Sequence, residues 1–118
     1  MQDNPARPAV GVRLCAVADL ADPGAKGFRF RAGDTLFAGF VVRMGDQAWG
    51  YVDSCPHAGW PLSVMDDRYL VRGGDKLLCA GHGALFRPQD GVCIVGPCEG
   101  DRLTPWPVRI VEGAVLTA

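Results

Sequence analysis

Cys55-Pro56-His57-Ala58-Gly59-Trp60-Pro61-Leu62 and Cys79-Ala80-Gly81-His82-Gly83-Ala84-Leu85-Phe86 are the two stretches from which the rest of the chain can be read. Each follows a β-leaning run and is rich in Gly and Pro, so each is expected to be a loop leaving a strand end. Pro56 keeps Cys55 out of the α region, so the Cys-x-His pair stays extended and both ligand atoms can point at one centre. Gly81 and Gly83 flank His82 without side chains and leave room for backbone to come close to a bound group. Two loops that each offer one thiolate and one imidazole make a chemically sensible iron or zinc site.

The composition around these loops supports metal over other uses of cysteine. The chain has five cysteines and only two histidines, and both histidines lie within three residues of a cysteine. An odd cysteine count without a secretion-type leader argues against a disulfide framework. The N-terminus lacks a charged region followed by an apolar one, and apolar runs such as Leu36–Val42 fall far short of the ~20 residues a membrane span needs. Net charge is −1, so no general attraction to nucleic acid or anionic lipid is expected. A cytoplasmic, monomeric protein with neither nucleic-acid nor membrane partners is the expectation.

With 118 residues the chain is one domain's worth, and 16 glycines with nine prolines leave no segment for a long helix. Residues 1–10 read as a loose lead-in. Short β-leaning runs follow at Val12–Val17, Leu36–Arg43, Ala48–Val52, Lys76–Leu78, Val92–Val95, Val108–Val111 and Ala114–Thr117. Hairpin turns are expected at 44–47, 72–75 and 112–113. One helical turn is offered near Asp19–Gly24, ended by Pro23 and Gly24. Short strands with frequent turns predict an all-β fold of small antiparallel sheets.

Cys-x-His followed by Cys-x-x-His, each in a Gly/Pro loop, resembles the two cluster-binding loops of the Rieske family. The resemblance extends through Gly91-Val92-Cys93 and Gly96-Pro97-Cys98, similar to a third covering loop, to the strand entry at Trp106-Pro107-Val108. It implies a single Rieske-like domain over 1–118, with a cluster-binding subdomain at roughly 53–99 and a [2Fe–2S] cofactor. Carried over, Cys55 and Cys79 would hold the inner iron, and His57 and His82 the outer one. The 21 residues between His57 and Cys79 are more than in many small Rieske ferredoxins, and the surplus is assigned to a polar hairpin at Asp66–Asp75.

That ligand set implies one-electron chemistry. Two Fe(III) and two sulfides carry a charge that two thiolates neutralise, so the imidazole-ligated centre is easier to reduce than one with four cysteines, within a span of about −150 to +300 mV. High-potential relatives carry a bridging cysteine in each loop, and a serine and tyrosine after the second histidine that donate hydrogen bonds to the sulfurs. Here Trp60 and Gly81 stand at the first pair of positions and Ala84 and Phe86 at the second. The resemblance therefore implies a low-potential ferredoxin without catalytic activity of its own, passing electrons from a reductase to an oxygenase-type enzyme. A small subunit of a nitrite-reductase-like complex is the alternative within the family. A zinc-stabilised interaction module is the alternative outside it, although zinc fingers usually pair Cys with Cys and His with His.

The remaining chemistry-bearing residues have ordinary readings. Cys15 is expected to be a small buried hydrophobe, and Cys93 and Cys98 buried thiols rather than a redox pair or a disulfide. Trp60 and Phe86 are candidates to shield the centre, with plain core packing as the competing account. Arg68, Arg72, Lys76 and Arg87 are read as solvated surface, with guidance of a partner as the alternative.

Overall fold

A computed structural model describes residues 4–54, 76–79, 84–96 and 99–118. They form nine strands: β1 Arg13–Ala16, β2 Gly24–Ala32, β3 Thr35–Met44, β4 Gln47–Val52, β5 Leu77–Cys79, β6 Ala84–Phe86, β7 Cys93–Val95, β8 Val108–Val111 and β9 Ala114–Thr117. These make three three-stranded sheets, ordered β1-β9-β8, β2-β3-β4 and β5-β6-β7. Every pairing is antiparallel. The all-β expectation holds.

The middle strand of the central sheet explains the architecture. Along β3, Phe37 and Val41 face one apolar cluster with Cys15, Leu20, Trp106 and Val115. Phe40 and Val42 face a second cluster with Tyr51, Leu77, Cys79, Phe86 and Cys93. A strand buried on both faces reads as a continuous apolar run, as Leu36–Val42 does. The central sheet is thus sandwiched between the terminal sheet and the small third sheet.

Two predicted turns are present. Met44 pairs with Gln47 across the β3–β4 hairpin, and Val111 with Ala114 across the β8–β9 hairpin. Glu112 and Gly113 have φ of 50° and 76°, the two positive values a tight two-residue hairpin requires. The turn expected at 72–75 and the hairpin at Asp66–Asp75 lie outside the described residues.

The structure corrects three expectations. The helical turn is a single 3₁₀ turn at Val17–Asp19, earlier than Asp19–Gly24. Asp19 closes it by accepting the Ala16 N–H at 3.0 Å. The following segment is the nine-residue strand β2, whose alternation of Phe28 and Phe30 with Arg29 and Arg31 is a period-2 signal that Gly24 and Gly27 dilute. The lead-in is docked rather than loose over its described part. Asn4 donates from Nδ2 to the Leu36 carbonyl at 3.2 Å, Ala6 is buried, and the Arg7 guanidinium lies 5.6 Å from the centre of the Phe37 ring.

The chain between β7 and β8 laces two sheets together. Cys93 N–H donates to Asp101 O at 2.7 Å and Leu103 N–H to Gly91 O at 2.9 Å, while Val52 N–H donates to Thr104 O at 2.8 Å and Trp106 N–H to Gly50 O at 2.9 Å. This strap delivers the Trp106 side chain, 1% exposed, into the terminal cluster. A Cβ on Gly39 would strike the Trp106 indole and one on Gly50 the Trp106 carbonyl, so both positions need glycine for close approach.

Candidate metal centre

Of the four ligand residues expected from the sequence, Cys79 lies among the described residues. Cys55, His57 and His82 lie outside them. Cys79 is the last residue of β5, 1% exposed, and is paired with Ala84, the first residue of β6. Strand alternation turns Leu77, Cys79, Ala84 and Phe86 to one face, and all four belong to the apolar cluster that includes Phe40, Tyr51 and Cys93. His82 stands in the four residues that join Cys79 to Ala84. Cys55 follows Ser54, just past the point where Asp53 N–H donates to Ala38 O at 3.0 Å.

The third segment closes on the same place. Gly96 follows β7 with φ of 107°, and a Cβ there would meet the Ala84 Cα at 2.9 Å. Glu99 N–H donates to Gly96 O at 3.2 Å and Gly100 N–H to Cys93 O at 3.0 Å, which folds the turn back onto β7. The expected covering segment, Gly96-Pro97-Cys98, therefore starts hard against the residue opposite Cys79. Pro97 and Cys98 themselves are outside the described residues.

These surroundings suit a metal-held thiolate. A bare thiolate in an apolar cluster is disfavoured by desolvation, whereas coordination keeps it ionised. Opposite Cys79 the ladder carries only the methyl of Ala84, and Gly96 packs closely on that residue. Nothing among Leu77, Ala84 and Phe86 competes as a ligand. Cys79, buried among groups that offer no competing ligand, fits the cysteine side of an iron–sulfur centre.

The other candidates resolve individually. Cys15 is 5% exposed, and burial, with Asp19 assisting, raises its thiol above the usual range, as suits an inert hydrophobe. Cys93 is 1% exposed and its thiol donates to Val95 O at 3.3 Å. Phe86 is fully buried, so it both packs the core and helps wall the face that carries Cys79. Arg87 is engaged by Asp90 through Nε at 3.1 Å and Nη2 at 2.6 Å, which ties down the β6–β7 connection instead of reaching toward a partner. The Val92 N–H and then Arg87 hold the Asp90 carboxyl below the ordinary range. Lys76 is half-buried, and Trp60, Arg68 and Arg72 are outside the described residues.

One contributor had no motif to announce it. Tyr51, 3% exposed, donates its hydroxyl to Pro88 O at 2.5 Å and packs on Phe40 at a centroid distance of 5.9 Å. Its only signal was the alternation of Trp49 and Tyr51 in a β-leaning run.

A model of the Rieske [2Fe–2S] domain family matches residues 11–111. No curated protein matches the chain. Among solved structures, a chain of the complex of reduced oxygenase and oxidized ferredoxin in carbazole 1,9a-dioxygenase is 27% identical, with a TM-score of 0.69 over 92% of this chain and 93% of that one. The ferredoxin of carbazole 1,9a-dioxygenase from Nocardioides aromaticivorans IC177 is 20% identical, with a TM-score of 0.73 over 93% and 98%. The Sphingomonas yanoikuyae B1 ferredoxin is 23% identical, with a TM-score of 0.66 over 91% and 96%. The last two likenesses concern the fold.

Proposed function

The chain belongs to the Rieske [2Fe–2S] domain family, and on that premise we propose that it is a low-potential ferredoxin carrying single electrons from a reductase to an oxygenase-type enzyme. The observation that carries this reading is the 27% identity to a chain from an oxygenase–ferredoxin complex, over nearly the full length of both chains. When bound, the cluster supplies the one-electron couple. In this reading Cys55 and Cys79 hold the inner iron and His57 and His82 the outer one, within a single domain over 1–118 whose cluster-binding part spans roughly 53–99. Leu77, Ala84 and Phe86 keep water from the cysteine side, and Ala84 and Phe86 offer the sulfurs no hydrogen-bond donor.

The low potential follows from that last point. Reduction adds negative charge to the centre, donors to sulfur favour the added charge, and their absence disfavours it. We place this carrier in the cytoplasm, because five cysteines, an odd number, suit a reducing compartment. The test is a spectrum of anaerobically purified protein before and after dithionite, with iron and sulfide analysis. A red-brown protein with about two irons and two sulfides, paramagnetic only when reduced, is expected on this ligand chemistry. A colourless protein holding one zinc overturns the reading.

A further inference from the structure

β2 sorts its side chains strictly by parity. Phe28 and Phe30 lie against the Trp106 ring at centroid distances of 6.3 and 6.1 Å, so Arg29 and Arg31 are turned to the opposite face of the central sheet. That face also carries Phe40, Val42 and Tyr51, which are buried in the cluster shared with Cys79. Toward the start of β3 the face emerges from under the third sheet. Arg29 pairs with Ala38 and Arg31 with Leu36, both arginines are exposed, and Leu36 is 46% exposed. The chain leaves β4 toward Cys55 at this same end, through the Asp53–Ala38 hydrogen bond.

Neither arginine makes an ion pair or a side-chain hydrogen bond among the described residues. Among the described residues, the acids at this end are Asp34, exposed in the turn after β2, and Asp53, which is buried. In a chain of net charge −1, two guanidinium groups two residues apart, beside an exposed leucine and without an ion-pair partner among the described residues, are a local exception. Cations on an edge strand also deter edge-to-edge pairing, but that role needs no apolar neighbour and no position beside the exit of β4 toward Cys55.

We propose that Arg29, Arg31 and Leu36 form the docking face for a redox protein whose electron-transfer edge is rimmed with carboxylates. Leu36 supplies an apolar contact, and the two guanidinium forks pair with carboxylates and steer the encounter. The proposal rests on the electron-carrier reading above.

The test uses the cluster-loaded protein, reduced, mixed in a stopped-flow instrument with plastocyanin, an acidic copper protein, in which Cu(II) takes one electron to become Cu(I). At ~0.1 M ionic strength, where screening confines charge effects to about 10 Å, Arg29→Glu with Arg31→Glu should slow transfer about tenfold, and the difference should shrink strongly at ~0.5 M salt. Cytochrome c, a basic acceptor, should be reduced no more slowly by the variant than by the parent protein. Arg13→Glu with Arg109→Glu makes the same change in net charge on the terminal sheet and should leave the plastocyanin rate within about twofold. If the charge reversal lowers cluster content, Arg29→Gln with Arg31→Gln serves instead, with a loss of about threefold expected. An unchanged plastocyanin rate, or an equal loss in the terminal-sheet variant, overturns the docking face while leaving the carrier reading intact. A parent protein with no reducible cluster overturns the carrier reading itself.

Discussion

Ala84 stands opposite Cys79 in the β5–β6 ladder, and both are almost fully buried on the same face. A hydroxyl at position 84 would be delivered beside the cysteine without disturbing the strand pairing. A hydrogen bond worth about 1.4 kcal/mol more to the reduced state raises a one-electron potential by about 59 mV. Ala84→Ser with Phe86→Tyr should therefore raise the midpoint by tens of millivolts from a parent value near the bottom of the family range, about −150 mV. Protein-film voltammetry reads this directly, and a parent midpoint above about +100 mV would refute the donor-poor account. Cys79→Ser should abolish cluster incorporation, measured as loss of visible absorbance. Cys15→Ser, in the separate terminal cluster, should keep the cluster while costing about 1–3 kcal/mol for burying a hydroxyl.

At the scale of elements, the strap from Asp101 to Pro107 holds the third sheet to the edge of β4, and Trp106 anchors it. Trp106 meets Phe28, Phe30 and Phe37 edge-on, at centroid distances between 5.1 and 6.3 Å. Trp106→Ala should cost about 3–5 kcal/mol in denaturant unfolding, the range for removing a large buried aromatic. Gly50→Ala should cost about 1–3 kcal/mol by pushing the Trp106 backbone off the strand. If Gly50→Ala left the unfolding midpoint unchanged, the close approach of strap to strand would not be limiting. Arg43 does similar work nearby, donating to Leu20 O at 3.0 Å and Gly45 O at 2.9 Å and so fixing the 3₁₀ turn to the β3–β4 hairpin.

For the whole molecule, alkaline pH probes the cluster that joins the central and third sheets. Burial, with Asp90 assisting, pushes the Tyr51 hydroxyl up to about 12. The unfolded chain ionises this group near its ordinary value of about 10, so between pH 10 and 12 the folded state holds the extra proton. Stability from this group is complete below about pH 10 and is lost as pH rises through the folded value. Thermal unfolding should therefore fall over that window, and Tyr51→Phe should flatten the fall while lowering stability at neutral pH, because Pro88 O loses its donor. An equally steep alkaline fall in Tyr51→Phe would assign the effect to other groups.

The sequence by itself determined the family and the fold class, because Cys-x-His at 55–57 and Cys-x-x-His at 79–82 are local spacings whose chemistry leaves few choices. It also placed the β3–β4 and β8–β9 hairpins, whose turn residues act on their own backbone. Only the tertiary structure decided the rest. β2 was hidden because its two inward aromatics become a strand signal once Trp106 is there to receive them. Gly39 and Gly50 lie inside two β-leaning runs, and only the packing of Trp106 on them shows why they are glycine. The lead-in reads as loose because the Leu36 carbonyl that holds Asn4 and the cluster that buries Ala6 come from segments distant in sequence. Even the sidedness of Arg29 and Arg31 depends on which face of the central sheet the third sheet covers. Local pattern carries turns and ligand spacing, but burial is a property of contacts that exist only after distant segments have met.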